Sequence, residues 1–250
     1  MDMNNNLENE RKVDRILPPP PFIADHIKST IPEMACGVLV YKDNNHSYIP
    51  CKNIADDPLK QSKISDEEYA RTRNEGDIIH TVMFRSDESA HSTEEDQAQC
   101  NENKAPYIII SWPELKIEQF LPTVDLPLVG RPFIYGVYDC YSLARDYYKK
   151  NFGIKLNDYD RPDFWWEKDA NLYMENYKKE GFKEIPAKEL RCGDLILMKI
   201  NSPVPNHIAI YLGNGEILHH LELQPSKRED YREKWRKKSV LFLRHKEISG

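Results

Sequence analysis

The sequence predicts an α+β protein of two domains, and three observations carry that expectation. Strand-like and helix-like stretches alternate over residues 22–120, as in a single α/β layer. Residues 121–132, "LPTVDLPLVGRP", lose all periodicity around Pro122, Pro127, Gly130 and Pro132 and read as a linker. From 133 to 250 one amphipathic helix precedes a series of short strands, the order of a helix packed on an antiparallel sheet.

The elements follow in order. Residues 1–21 form a polar leader ending in "ILPPPP", extended because proline fixes φ and restricts its predecessor. A short helix is expected over Ile23–Thr30, then a buried strand, "CGVLVYK". "DEEYARTRNE" (66–75) has the polarity of a surface helix, and "DIIHTVMF" the β-branched and aromatic content of a strand. "STEEDQAQC" predicts a helix opened by a Ser-x-x-Glu capping box at Ser92, and "YIIISW" another buried strand. Past the linker, Cys140, Leu143, Ala144 and Tyr147 recur at i, i+3, i+4, i+7, so a helix runs over 140–152 and stops at Gly153. Strands are expected in "DLILMKI", "HIAIYLG" and "EILHHL", then a charged helix over 228–238 and a last strand, "VLFLRH".

Composition excludes several classes. The net charge is −6 with 30% charged residues, spread without a basic footprint, so no nucleic-acid partner is expected. No apolar run approaches the roughly 20 residues of a membrane span, and the first residues lack the apolar core of a signal peptide. Five cysteines, an odd number without a CxxC pair, fit free thiols in a reducing cytoplasm. Cys36, Cys51 and Cys100 read as packing residues, and no cofactor is implied.

Cys140 is different because of its position. In the first turn of a helix, free backbone N–H groups and the positive end of the dipole favour thiolate and can receive a tetrahedral oxyanion. Asp139 before it reads as the helix cap. A thiol nucleophile needs an imidazole base and a third group to orient it. "NHIAIYLGNGEILHHL" supplies three histidines on two strands. With a three-residue Gly213-Asn214-Gly215 loop, Leu212 faces Glu216 and Ala209 faces His219, so His207 and His219 share one face. A two-residue Asn-Gly loop would put His220 there instead. Trp165-Trp166 read as a core lid or as a substrate wall.

Asp139-Cys140 opening a helix, "CGDLILM" and "HIAIYLGNGEILHH" together resemble the NlpC-type cysteine peptidases that cut cell-wall peptides, over about residues 130–245. The resemblance implies a papain-like domain with Cys140 as nucleophile, His207 as general base and His219 as the orienting member. The family's Ser-Gly after the cysteine is Tyr141-Ser142 here, and its hairpin glycine is Ala209. Phe133 stands where the family often has an oxyanion tyrosine, and whether Tyr135 substitutes is left open by the sequence.

"IPEMACGVLV", "YIPCKNIADDP" and "STEEDQAQC" resemble a JAMM/JAB metallopeptidase domain, with Glu33, Ser92 and Asp96 at matching positions. The family's two histidine ligands fall on Val82 and Phe84; a shifted register offers only His80, with His91 nearby. The domain is therefore read as degenerate, without a metal. The combination of the two domains resembles the tail tip assembly protein K family of long-tailed bacteriophages. That implies other tail-tip proteins as partners, bacterial peptidoglycan as substrate, and a location at the virion tail tip or in the host cytoplasm during assembly. The competing expectations are a non-catalytic assembly protein and a zinc isopeptidase at the first domain.

Overall fold

The computed structural model describes residues 20–85, 91–162, 164–168 and 170–248. The leader expected over 1–21 lies outside them except for its last two residues, which begin a helix. Compact units divide at Leu126–Pro127.

The first unit opens with α1 (Pro20–Thr30) and a hairpin of β1 (Cys36–Lys42) and β2 (Asn45–Cys51). Its turn residues Asp43 and Asn44 both have positive φ, the backbone a two-residue hairpin loop demands. The second strand was not legible in "NHSYIPC" because Pro50 and the polar residues hide the alternation. Helix α2 (Asp66–Glu75) is capped by Ser65, whose hydroxyl accepts from Glu68 N–H, and three acids in its first turn suit the helix dipole. Then come β3 (Asp77–Arg85), α3 (Glu94–Asn103), β4 (Tyr107–Ser111) and β5 (Ile117–Phe120). The sheet order is β2-β1-β3-β4-β5, with the α3 crossover making β3 and β4 parallel and the other pairs antiparallel. Cys36, Cys51 and Cys100 sit in its core with Val38, Tyr69 and Ile109. The capping box of α3 is Thr93 with Asp96, not Ser92 with Glu95. Ser92 is unavailable because its N–H and hydroxyl both go to Glu118.

In the second unit α4 (Cys140–Phe152) is followed by a 3-10 turn (Trp165–Glu167), α5 (Leu172–Asn176), and strands β6 (Phe182–Glu184), β7 (Leu195–Met198), β8 (His207–Gly213), β9 (Glu216–His219) and β10 (Lys227–Asp230). A short α6 (Glu233–Arg236) and β11 (Ser239–His245) close it. The sheet is antiparallel throughout, in the order β10-β9-β8-β7-β11-β6. Its alternating residues make two cores. Leu195, Leu197, Ile208, Ile210 and Leu218 meet Leu143, Ala144 and Tyr148 of α4. Ile196, Met198, Ala209 and Ile217 meet Tyr231 and Trp235 on the other side.

Helix α4 begins and ends where its sequence places it. Asp139 and Ser142 form a reciprocal capping box, and Gly153, at φ 69°, turns the chain out of the helix. The charged stretch 228–238 is corrected: only Glu233–Arg236 is helical, while Lys227–Asp230 pairs as an edge strand along β9. Ladder hydrogen bonds outweigh the helical preference of a charged run, and charge protects an exposed edge.

The β8–β9 turn is also corrected. Gly213 pairs directly with Glu216, so the loop is the two residues Asn214 and Gly215, both at positive φ. A bulge between Tyr211 and Gly213 adds Leu212 as an extra residue on β8. That insertion shifts the register back by one, so Ala209 still faces His219.

Leu143 is fully buried in the α4 core. Leu143→Ala is expected to cost about 2–5 kcal/mol in denaturant unfolding of the second unit; a loss under about 1 kcal/mol would contradict this packing.

Candidate active site

Cys140 is the first residue of α4, and its position is fixed by the residue before it. Asp139 Oδ1 accepts the Ser142 N–H at 2.8 Å, and Oδ2 accepts the Gly136 N–H at 3.1 Å and Arg161 Nε at 2.7 Å. Arg161 also donates to the Gly136 carbonyl at 2.9 Å and lies 4.9 Å over the Tyr141 ring. Both members of the ion pair are buried. The sequence reading of Asp139 as a cap holds, and the carboxylate does more: it ties the helix start to the 134–138 turn and to Arg161.

Cys140 is 7% exposed, and its sulfur lies 3.3 Å from the Tyr173 hydroxyl. Burial pushes the thiol up to about 11, with the Asp139 carboxylate adding to the shift. This overturns the expectation of a depressed thiol. The helix end and the Tyr173 hydroxyl both favour thiolate, but desolvation outweighs them.

His207 opens β8 and His219 ends β9. His207 Nε2 and His219 Nδ1 are 3.2 Å apart, and His219 Nε2 lies 3.2 Å from Glu229 Oε2. His207 Nδ1 has no hydrogen-bond partner among the described residues. Trp235 stands edge-on to His219 at 4.8 Å and stacks beside His207 at 6.5 Å. Burial holds His207 well below its ordinary value, helped by the neighbouring imidazole of His219. Burial also lowers His219 to about 4, although the Glu229 carboxylate opposes that. Both rings are therefore neutral at pH 7.

Cys140 and His207 line one cleft of about 460 Å³, with Phe133, Tyr135, Trp165 and Trp166 on its walls. Phe133 packs edge-to-face on Tyr135 at 5.0 Å and on His220 at 5.1 Å. Trp165 is buried against Tyr173 while also lining the cleft, so it serves both as lid and as wall. Residues that sequence reasoning missed are Tyr173, Arg161, Glu229 and Trp235. Arg161 and Tyr173 reach the site over 22 and 33 residues of chain, with no local pattern to announce them. Glu229 gave no signal either, because "KRED" is charged throughout and becomes a strand by pairing with the histidine strand.

The positions singled out in the first unit are not gathered together. Glu33 is exposed before β1, Ser92 is held by Glu118, and His91 Nδ1 lies 2.9 Å from the same Glu118 carboxylate. Asp96 Oδ2 bonds the Arg85 guanidinium and Thr93. His80 is buried against Gln119, with burial lowering it to about 3. Val82 and Phe84 carry no donor atoms, and the Asp96 carboxylate is already neutralised by a guanidinium. These residues do not fit a zinc ion.

Residues 130–244 match the family model described as NlpC/P60 family. Tail tip assembly protein K of Escherichia phage N15 is 34% identical over 233 residues, covering 91% of this chain and 94% of that protein. Tail tip assembly protein K of Escherichia phage lambda is 34% identical over 183 residues, 73% of this chain and 89% of that protein. The crystal structure of the NlpC/p60 domain of peptidoglycan hydrolase SagA aligns at 19% identity over 47% of this chain and 89% of its own, a loose likeness with a TM-score of 0.33.

Two outcomes follow from the site's electrostatics. Arg161→Ala strands a buried carboxylate and is expected to destabilise the second unit by about 3–5 kcal/mol in denaturant titration; a loss under about 1 kcal/mol would show the pair to be dispensable. Since the thiol is raised, the thiolate fraction grows with pH up to about 11. Alkylation of Cys140 by iodoacetamide should climb about tenfold per pH unit through the alkaline range, followed by peptide mass spectrometry. A plateau below pH 8 would contradict the dominance of burial.

Proposed function

The chain belongs to the tail tip assembly protein K family, and from that premise we propose that it is a tail-tip component whose second unit is a cysteine endopeptidase acting on peptide bonds of bacterial peptidoglycan. The observation that carries the reading is the joint presence, in one cleft, of a thiol at a helix start and an imidazole with an unoccupied Nδ1 backed by a second imidazole.

Cys140 is the nucleophile in this reading, His207 the general base and His219 the group that orients it. The resting pair is neutral thiol and neutral imidazole, so proton transfer accompanies attack rather than preceding it. His207 Nδ1 takes the thiol proton as sulfur bonds to the peptide carbonyl carbon, and the carbonyl electron pair moves onto oxygen. The N–H groups of the first turn of α4 receive that oxyanion. On collapse the C–N bond breaks and the leaving nitrogen takes the proton from His207. Water, deprotonated by His207, then hydrolyses the thioester, and the proton returns to sulfur. Phe133 contributes no hydroxyl donor at its place, and Tyr135 lines the same cleft.

The first unit we read as a JAMM/JAB-like fold retained for contacts with other tail proteins, with Arg85 supplying to Asp96 the positive charge a metal would bring. Action at the virion tail tip, or in the host cytoplasm during assembly, follows from the same family membership. No helix among the described residues is long and apolar enough to cross a membrane.

One observation favours a second reading, an assembly protein without catalysis: the sulfur is held by Tyr173 and its thiol is raised rather than lowered. Purified cell wall separates the two. Wild-type protein is expected to release wall peptides and Cys140→Ala to release none, with unchanged circular dichroism. Equal release by both proteins would remove the hydrolase, and release by neither would leave the assembly role.

A further inference from the structure

Neither the family resemblance nor the motif around Cys140 involves Glu229, yet among the described residues it ends the hydrogen-bonded chain that leads from the His207 ring through His219. Its carboxylate is bonded by Lys234, lies 3.7 Å from Lys227 Nζ, and reaches His219 Nε2 at 3.2 Å. Those two ammonium groups keep Glu229 below the usual carboxylate range against its desolvation. An ionised carboxylate only accepts hydrogen bonds.

The consequence runs through two rings. If Glu229 accepts, His219 Nε2 carries the proton, and in a neutral ring Nδ1 is then bare. A bare His219 Nδ1 can only accept, so the contact at 3.2 Å requires the proton on His207 Nε2. His207 is then neutral with a bare Nδ1, the nitrogen without a partner among the described residues, in the ring that lines the cleft beside Cys140. Reversing the first bond reverses all of them, and His207 Nδ1 would become a donor that cannot take a proton. The same logic by which a buried carboxylate fixes an imidazole tautomer in a catalytic triad is extended here across a second histidine.

We propose that Glu229 is a positioning residue that fixes the tautomers of His219 and His207 together, so that His207 presents an unprotonated Nδ1 to the Cys140 cleft. Its catalytic consequence rests on the reading of Cys140 and His207 as nucleophile and base; the tautomers themselves do not. Lys227 and Lys234 hold the carboxylate, and Trp235 shields the two rings, packing against both. The edge strand β10 thus has a task beyond closing the sheet: it delivers an acceptor to a pair of neutral imidazoles.

The test is two-bond ¹⁵N–¹H correlation spectroscopy of the full chain labelled in histidine, at pH 7. Wild-type protein should show His207 and His219 each protonated at Nε2 and bare at Nδ1. Glu229→Ala should lose that bias in both rings. Glu229→Gln, whose carbonyl still accepts, should keep it in the larger part. A Nδ1-protonated His207 in the wild type would overturn the proposal, even where a variant fails to fold, and so would unchanged tautomers in Glu229→Ala. Alongside, kcat for wall-peptide release should fall roughly tenfold to a hundredfold in Glu229→Ala with KM little changed, by analogy with the loss when outer hydrogen-bond partners of metal-bound imidazoles are removed, and Glu229→Gln should recover part of it. If the tautomers behave as stated and the wild type releases no peptide, the positioning role stands and the hydrolase reading falls.

Discussion

One inserted residue decides which histidine can serve the cleft. Side chains alternate across a strand with period two, so a two-residue Asn214–Gly215 loop on its own would bring His220 to the face of His207. The bulge at Leu212 adds the residue that restores His219 to that face. His220 is left facing Phe133, with burial lowering its ring to about 3. The 3.2 Å contact between His207 and His219, the approach of Glu229 from the edge strand, and the cover from Trp235 all presuppose this register. The second requirement, a fixed helix start, is met by Asp139, which uses one carboxylate oxygen on Ser142 and the other on Arg161 and Gly136.

The electrostatics of the site is a contest that burial wins. Helix position, backbone N–H groups and the Tyr173 hydroxyl all favour a thiolate at Cys140, and desolvation still raises the thiol to about 11. The same desolvation keeps both imidazoles neutral. A resting site of neutral partners avoids the cost of a buried ion pair. It suits a mechanism in which charge develops only when substrate supplies a carbonyl for the sulfur to attack. In the first unit the balance is reached differently, by an Arg85–Asp96 pair inside the end of α3.

Local pattern made part of this legible. The helix over Cys140–Phe152 was readable because its apolar face, its capping residue and Gly153 all lie within one short segment. The strands at "LILM", "HIAIYLG" and "EILH" were readable from their apolar content and the Asn-Gly turn between the last two. The bulge was not, because nothing in "YLGNG" distinguishes a three-residue loop from a two-residue loop with an inserted strand residue. Strand β10 was hidden by charge, since Lys227–Asp230 owes its conformation to pairing with β9 rather than to its own pattern. The thiol's shift could not be read from helix position, because burial depends on Tyr173 and Ile208, residues distant in sequence that fold over the sulfur. Asp139 announced its cap, but its partner Arg161 lies 22 residues on, across an aromatic connection without periodicity.

The central claim is that a buried thiol, rather than a merely accessible one, forms a bond with the wall peptide. The chain carries its own control, because Cys192 is exposed while Cys140 lies in the cleft. Acid quenching during turnover of cell-wall peptide, followed by mass spectrometry of the cysteine-containing fragments, reads the acyl group directly. A thioester on the fragment holding Cys140, and none on that holding Cys192, is the expected result. An acyl group on Cys192, or on no cysteine while peptide is released, would contradict it.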